Sequence, residues 1–369
     1  MIAKLNRLST ALAVLVLGAL PAVADTIYLT DGSTLDDVRI IDETLLQVVY
    51  SEKNKSAEKT VDPDTVLRID YRRMPQLLDE GNTYISEGDI ASGLENYEEW
   101  LEGVLSGENR KDRQAWAPAY AMRRIMGIYM TVGDLQGVVT AANKLISERP
   151  DSRHVPGAYL AKSEALRLLG QEDKARKAIS DFRDVIDRKS LSDLWRLEAE
   201  LAEILNDGNL KGTARRDKLI TVATTAGAKY PVVRNRARVA EGESYISGNS
   251  KEYGKAQAVF QEIADDPTAD DATLAGAYTG LGDCLFQQAA EKVNAGEDAA
   301  EDLRGALLNY LRVVVVYEDQ TRHVSKSMFF AGRVFDLMDA ETARADARRM
   351  YQALMARYPA SEWAQMASR

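Results

Sequence analysis

One pattern of small, aromatic and turn-forming residues recurs six times between Met74 and Arg369, and it constrains the fold more than any other feature. The six sets are Gly81, Tyr84, Gly88-Asp89, Gly93 and Tyr97; Tyr129, Gly133-Asp134, Ala142 and Pro150; Leu166, Gly170, Ala175, Ile179 and Phe182; Gly242, Tyr245, Ala256, Phe260 and Pro267; Gly282, Leu285, Ala306 and Tyr310; and Gly332, Phe335, Ala347, Tyr351 and Pro359. Apolar residues around these positions follow the helical period of about 3.6 residues. Self-similarity of this kind is typical of an array whose stacked repeats share a continuous core.

These spacings resemble those of the tetratricopeptide repeat family. In that family a small residue and an aromatic mark the first helix, a Gly-Asp-type turn follows, and a small residue and an aromatic mark a second helix that proline ends. Small residues let two helices approach closely, and proline stops a helix because it cannot donate a backbone hydrogen bond. The resemblance implies a mainly α fold, a right-handed α-solenoid of helix hairpins over residues 74–369 with about seven helix pairs.

Three stretches depart from the repeat. Residues 191–231 are helical but irregular, since Asn206-Asp207-Gly208-Asn209 breaks them and Pro231 ends them. The fifth set carries an alanine- and acid-rich insert at 291–302, which predicts a longer helix pair. The polar, charged residues 106–113 predict a linker between the first two sets.

Residues 25–71 alternate apolar and polar positions, which predicts short strands and not helices. Asp31-Gly32 between β-branched runs is a strong hairpin signal, and the next turn is expected around Asp42-Glu43. The stretch I-Y-L-T-D-G-S-T-L-D-D-V-R-I resembles SH3-like or Sm-like barrels of exported bacterial proteins, which implies a small all-β, barrel-like domain that contacts proteins. It either caps the first helix of the array or binds partners independently; the short linker at 72–75 suits a packed or a mobile domain.

The first 24 residues have the three parts of a secretory signal peptide. Lys4 and Arg7 precede an apolar run at 11–20, and Ala22-Val23-Ala24 forms an A-x-A cleavage signal. We therefore predict an exported chain, periplasmic or secreted, cleaved after Ala24; an uncleaved N-terminal anchor is the alternative. No other stretch is apolar enough to cross a bilayer.

The C-terminal stretch at 357–364 reads R-Y-P-A-S-E-W-A. It resembles the Y-P-x-S-x-x-A ending of periplasmic tetratricopeptide proteins, which include outer-membrane assembly lipoproteins and the coordinator linked to the Tol-Pal system. This resemblance implies a place in the cell envelope and does not identify a partner.

The charge balance disfavours nucleic-acid binding. The chain has 47 basic and 57 acidic residues; losing residues 1–24 removes Lys4 and Arg7 and no acidic residue, so the net charge falls from -10 to -12. An acidic surface repels phosphate backbones and anionic lipid.

No set of residues predicts catalysis, a cofactor or a metal site. The two histidines, His154 and His323, are far apart and are each expected to be solvated or to lie at a helix cap. No paired cysteines, H-E-x-x-H, calcium loop, dinucleotide fingerprint or G-x-S-x-G elbow occurs. Cys284, the single cysteine, is expected to be a small buried hydrophobe. The chain is therefore predicted not to be an enzyme.

Binding is the positive expectation. Placing the repeats in register puts charged and polar residues of the first helices on the concave face, which defines a candidate peptide-binding groove: Asn82, Arg123, Glu164, Arg167, Arg236, Glu243, Asp283 and Arg333. Its arginines either pair with carboxylates of a partner's extended segment or form salt bridges between repeats.

The predicted function is an envelope scaffold or adaptor that binds other envelope proteins or peptides. A self-associating structural subunit, which would be a homo-oligomer, is the first alternative. A ligand-binding or hydrolytic role of the β-domain is a more distant one.

Overall fold

The computed structural model describes residues 24–52, 55–107, 114–247, 251–338 and 341–368. Within these ranges the chain forms five strands followed by fifteen helices. The strands are β1 (Asp25–Leu29), β2 (Thr34–Glu43), β3 (Val48–Glu52), β4 (Glu58–Val61) and β5 (Val66–Asp70). The helices are α1 (Gln76–Ser86), α2 (Ile90–Leu105), α3 (Ala117–Val132), α4 (Leu135–Glu148), α5 (Val155–Leu168), α6 (Glu172–Lys189), α7 (Asp193–Asn206), α8 (Gly212–Ala226), α9 (Pro231–Ile246), α10 (Tyr253–Ala264), α11 (Asp271–Ala295), α12 (Ala300–Val316), α13 (Thr321–Leu337), α14 (Glu341–Arg357) and α15 (Glu362–Ala367). In these ranges, no helix combines the length and apolarity needed to cross a membrane. Apart from Ala24, the predicted signal peptide at 1–24 lies outside the described residues.

The strands form one antiparallel sheet in the order β4-β3-β2-β1-β5. Gly32 turns β1 into β2 with a φ of +85°, so the predicted Asp31-Gly32 hairpin is confirmed. The turn expected at Asp42-Glu43 is wrong, because β2 runs on through Glu43 with an irregularity in register after Ile40. A short 3-10 turn at Pro63–Thr65 leads into β5.

The sheet packs against the N-terminal ends of the second, third and fourth hairpins. The Tyr71 ring stacks on Trp116 with ring centroids 3.7 Å apart. The backbone N–H of Leu45 donates to the carbonyl of Asp151 at 2.7 Å. The indole N–H of Trp195 donates to a carboxylate oxygen of the 3-10 turn at 2.8 Å. The sheet is therefore fixed to three hairpins, and it does more than cap the first helix.

In the Gly-Asp turns of the first two hairpins, the glycine and the aspartate have different roles. Gly88 and Gly133 end α1 and α3 with φ values of +87° and +80°, a conformation in which a side chain would be strained. Asp89 and Asp134 then accept backbone N–H bonds at the start of α2 and α4. This division of labour explains why the pair recurs between the two helices of a repeat.

Glycines on the first helix of a hairpin face aromatic rings on the second. A Cβ added at these glycines would lie 2.4–2.9 Å from a ring atom, closer than packed atoms approach. The pairs are Gly81 with Tyr97, Gly242 with Phe260, Gly282 with Tyr310, and Gly332 with Tyr351. The small residues thus let the two helices approach closely, as the repeat spacing predicts, and the rings fill the space within a hairpin and not the gap between neighbouring repeats.

Two of the stretches that depart from the repeat, 191–231 and 291–302, consist mainly of helices. In the irregular region 191–231, α7 ends at Asn206 and α8 ends at Ala226. Pro231 begins α9, where its missing N–H costs nothing. The insert at 291–302 extends α11 to 25 residues before Gly296 ends it, so the prediction of a longer helix pair is confirmed. Of the linker predicted at 106–113, residues 108–113 lie outside the described residues.

The array curves until its last hairpin meets its second and third. Neighbouring first helices pack in sequence from α5 through α7, α9 and α11 to α13. Arg322 of α13 then donates to Glu164 of α5 at 2.7 Å, across 158 positions of sequence. A Cβ added at Gly133 would lie 3.1 Å from the Cβ of Ala360, so the loop before α15 also touches the α3–α4 turn. We name these two contacts the closure contacts.

Candidate functional site

The first helices α5, α7, α9, α11 and α13 surround a common central space, and we name the surface that they present to it the inner face. Small residues along these helices, such as Ala158, Ala199 and Ala237, are buried and bring the helices together. Charged side chains lie between them on the same helices, among them Glu164, Glu198 and Arg236. The inner face therefore combines close helix packing with a dense set of charges.

Arg236 and Glu198 join α9 to α7. Arg236 donates through Nη1 to a Glu198 oxygen at 2.5 Å, and the Glu198 side chain is only 8% exposed. The Glu198 carboxylate raises the pKa of Arg236 above its ordinary value, although desolvation opposes the charge. Removing one partner of such a pair leaves the other buried without compensation.

Asp283, Lys326 and Tyr310 join α11 to α13 and α12. Lys326 donates to one carboxylate oxygen of Asp283 at 2.5 Å, and the Tyr310 hydroxyl donates to the other at 2.8 Å. Burial disfavours the ammonium of Lys326, but the carboxylates of Asp283 and Glu243 more than offset it, so the pKa of Lys326 lies above its ordinary value. This pair also holds neighbouring repeats together.

Arg167 and Glu243 face the same central space without a direct partner. Neither side chain has a hydrogen bond or an ion pair with any residue in the described ranges. Desolvation lowers the pKa of Arg167, as does the positive charge of Arg322, while Glu164 and Glu243 act in the opposite direction. Glu243 is exposed and Arg167 is half-buried. These two groups remain available for other contacts.

Asn82 and Arg123 lie in the first two hairpins, away from that space. The Asn82 amide oxygen accepts from the Tyr97 hydroxyl at 2.7 Å and from Nη2 of Arg124 at 3.1 Å. Its amide N–H donates to the Tyr120 hydroxyl at 3.3 Å. Asn82 is thus used for packing among α1, α2 and α3. Arg123 is exposed, and no described residue forms a hydrogen bond or an ion pair with it.

The eight predicted groove residues therefore fall into separate places. Five share the inner face, namely Glu164, Arg167, Arg236, Glu243 and Asp283. Asn82 and Arg123 lie at the N-terminal end of the array, where Arg124, next to Arg123 in sequence, donates to Asn82. Arg333 is exposed on α13 beside Tyr351 of α14, and no described contact joins it to the other seven. That the groove binds a peptide stays a prediction.

Several charged residues of these clusters were missed by the repeat register. Glu198 and Arg322 complete ion pairs on the inner face, and Arg153 lies directly before α5, next to the sheet. His154, which the sequence placed in solvent or at a helix cap, is the N-cap residue of α5. His154 is half-buried, and burial followed by the charges of Arg153 and Arg123 lowers its pKa well below the ordinary value. The repeat pattern predicts no role for Arg153, because its carboxylate partner, Glu43, belongs to the sheet and not to a repeat.

Two features of the described residues bear on metal binding and on nucleophilic chemistry. No group of three or more histidine, cysteine, aspartate or glutamate side chains suited to a metal occurs within the described ranges. Cys284 is buried, as expected, and burial together with the nearby Asp283 raises the pKa of its thiol to about 12. A protonated, buried thiol is a poor nucleophile.

No protein-family model matches the sequence, and no curated protein matches it. Similar solved structures include a tetratricopeptide repeat protein from Parabacteroides merdae, with 11% identity, a TM-score of 0.41, and coverage of 80% of this chain and 98% of that one. A TPR repeats protein from Bacteroides fragilis has 12% identity, a TM-score of 0.23 and coverage of 76% and 97%. Yeast Tom70 has 17% identity, a TM-score of 0.23 and coverage of 79% and 67%. The fold itself follows from the hairpins described above: the chain is an α-solenoid of TPR-like hairpins preceded by a small five-stranded sheet.

Proposed function

We propose that the chain is a scaffold or adaptor that binds other proteins or peptides through the inner face of its array. The observation that carries this proposal is the state of Arg167 and Glu243, which point into a shared central space with no ion-pair partner in the described part of the chain. Charged groups left in this state at the centre of a concave surface are suited to an extended segment of a partner.

The paired charges have a different role in this proposal. Arg236, Asp283 and Glu164 each have a partner on another first helix, so they stabilise the curvature of the array. Among the predicted arginines, the salt-bridge alternative raised by the sequence describes Arg236. A partner would meet Arg167 and Glu243, while the paired residues keep the surface in shape.

The proposed place of action is the cell envelope. Support comes from the signal-peptide pattern at 1–24 and from the ending at 357–364. Fractionation of the native cells, with mass measurement of the mature chain, tests this: a cytosolic chain that retains residues 1–24 would refute it.

A charge swap tests partner binding. Arg167→Glu with Glu243→Arg keeps the net charge and the mutual attraction of the two groups, but it inverts the pattern that a partner would meet. A matched control swaps two exposed charges on second helices, Lys144→Glu with Glu99→Lys, which have no described ion-pair partner. Affinity capture from envelope extract should recover partners with the wild type and the control and lose them with the inner-face swap. Equal recovery by all three proteins would refute the inner-face proposal.

Self-association is a second candidate, because α12 carries an exposed apolar row. Leu308 is 64% exposed, Val315 is 73% exposed and Val316 is 61% exposed. Positions seven and eight residues apart lie on one side of a helix. Light scattering at rising concentration should show an oligomer that Leu308→Lys with Val315→Lys disperses. A wild-type monomer at every concentration would eliminate this candidate.

A further inference from the structure

Three arginines and a histidine gather where the sheet meets the second and third hairpins. Arg123 and Arg124 lie on α3, and Arg153 and His154 lie directly before α5. We name these four residues the junction cluster. Desolvation, Arg153 and Arg124 lower the pKa of Arg123, and burial, Arg153 and Arg123 lower the pKa of His154. The Tyr71 ring connects the two segments: it lies 5.3 Å from the ring of Tyr120, one turn before Arg123 and Arg124 on α3, and its hydroxyl donates to Glu43, the ion-pair partner of Arg153.

The carboxylate that reaches this cluster is already bound. Glu43, at the end of β2, forms an ion pair with Arg153 and accepts a hydrogen bond from the Tyr71 hydroxyl. The side chains of Arg153 and Glu43 are only 14% and 2% exposed, so this pair is fixed in the junction. Arg124 donates to neutral groups, the Tyr97 hydroxyl at 3.3 Å and an amide oxygen of α1 at 3.1 Å. The negative charge of Glu43 balances one of the three arginines.

Arg123 is the arginine of the junction cluster that has no polar partner among the described residues. It is exposed, and the described residues provide it with no hydrogen bond and no ion pair. Its strongest charged neighbours are two other arginines, which repel it. Among the described residues, no carboxylate forms an ion pair with this guanidinium. A guanidinium presents a planar fork of N–H donors that matches the oxygens of a carboxylate or a phosphate.

We propose that the junction cluster binds an oxyanion, a carboxylate or a phosphate group, with Arg123 as its direct ligand and Arg124 and Arg153 as the surrounding positive charge. Glu43 and Tyr71 hold Arg153 in position, so the site requires both the sheet and the array. His154, next to Arg153 in sequence, is half-buried, and its lowered pKa keeps it from adding a positive charge near neutral pH. This site is separate from Arg167 and Glu243 on the inner face, and a small oxyanion is sufficient to occupy it.

Titration calorimetry of the full chain with citrate and with inorganic phosphate, at constant ionic strength set by chloride, tests the site. The wild type is expected to give a saturable heat with at least one probe, and the tighter probe identifies the oxyanion. Arg123→Gln removes the direct ligand and leaves no carboxylate unpaired, so affinity should fall at least about tenfold, the effect of one charge-assisted hydrogen bond.

Two further variants control the result. Arg333→Gln removes another exposed arginine of a first helix, far from the junction cluster, and should bind like the wild type. Arg123→Lys keeps the charge and loses the fork, so its affinity should lie between those of the wild type and Arg123→Gln. Equal affinity of the wild type and Arg123→Gln, or no saturable heat with either probe, would overturn the proposal. Partner capture depends on Arg167 and Glu243, whereas oxyanion binding depends on Arg123. Either test can therefore fail while the other succeeds, and the two failures are distinguishable.

Discussion

Acid should destabilise the array through His323, a residue near the closure contacts. His323 is half-buried in the first turn of α13, and its ring lies within 3.4 Å of the position that a Cβ on Gly276 would take. Burial, followed by the charges of Arg322 and Lys326, lowers its pKa from 6.5 to about 4, although Glu164 opposes this. The folded chain therefore keeps the ring neutral at a pH where the unfolded chain protonates it.

The direction and the size of the effect follow from this difference. The unfolded chain takes up a proton as the pH falls below 6.5, whereas the folded chain does so only near 4. Stability from this residue is therefore fully present above the unfolded pKa and is lost as the pH falls towards the folded pKa. At about pH 5 the loss is about 2 kcal/mol, since one unit of pKa corresponds to about 1.4 kcal/mol.

Urea unfolding followed by circular dichroism, at about pH 7 and about pH 5, measures this loss. His323→Gln removes the titrating group, so its free energy of unfolding should fall about 2 kcal/mol less between the two pH values than that of the wild type. Titration of His154 and of the carboxylates is common to both proteins and cancels in the comparison. Equal losses in the two proteins would show that the folded chain does not depress the pKa of His323.

Three further predictions concern packing, closure and docking. Gly242→Ala places a Cβ 2.6 Å from the buried ring of Phe260 and should cost about 1–3 kcal/mol in urea unfolding despite a better helix propensity; an unchanged midpoint would contradict the close packing. Glu164→Gln should change the free energy of unfolding by less than about 1 kcal/mol, because the pair is exposed, yet enlarge the radius of gyration in X-ray scattering, and an unchanged radius would argue against closure. Asp64→Ala leaves the indole N–H of Trp195 unpaired and should cost about 1–3 kcal/mol and speed proteolysis of the sheet; resistance equal to the wild type would contradict its anchoring role.

The parts of the fold that could be predicted depend on neighbours in sequence. A Gly-Asp pair specifies a left-handed helix end and a cap within two residues, and a glycine with an aromatic 16 or 18 positions later, such as Gly81 with Tyr97 or Gly242 with Phe260, specifies a hairpin. The course of β2 past Asp42 was not predicted, because two acidic residues suit a turn locally, while pairing with β3 keeps them in the strand.

The candidate site could be predicted only in part. The repeat register identifies which side chains belong to first helices, so it placed five predicted residues on the inner face. It cannot tell a paired charge from a free one, because Arg236 finds Glu198 across 38 positions and Glu164 finds Arg322 across 158. Whether residues so far apart in sequence meet depends on the summed curvature of the hairpins between them. The linker at 72–75 left a packed and a mobile sheet equally open for the same reason, since Glu43 and Arg153 are 110 positions apart.

The closure contacts also change how cooperatively the array is expected to unfold. An open array behaves as a row of units that interact only with their neighbours, so its end repeats can fray and its length can vary. When α13 meets α5 and the loop before α15 meets the α3–α4 turn, the last hairpin becomes a neighbour of the second and third. Melting from the C-terminal end must then break contacts in the N-terminal half as well. Adding or deleting one repeat would separate the two ends, so the number of hairpins in this chain is itself a condition of its shape.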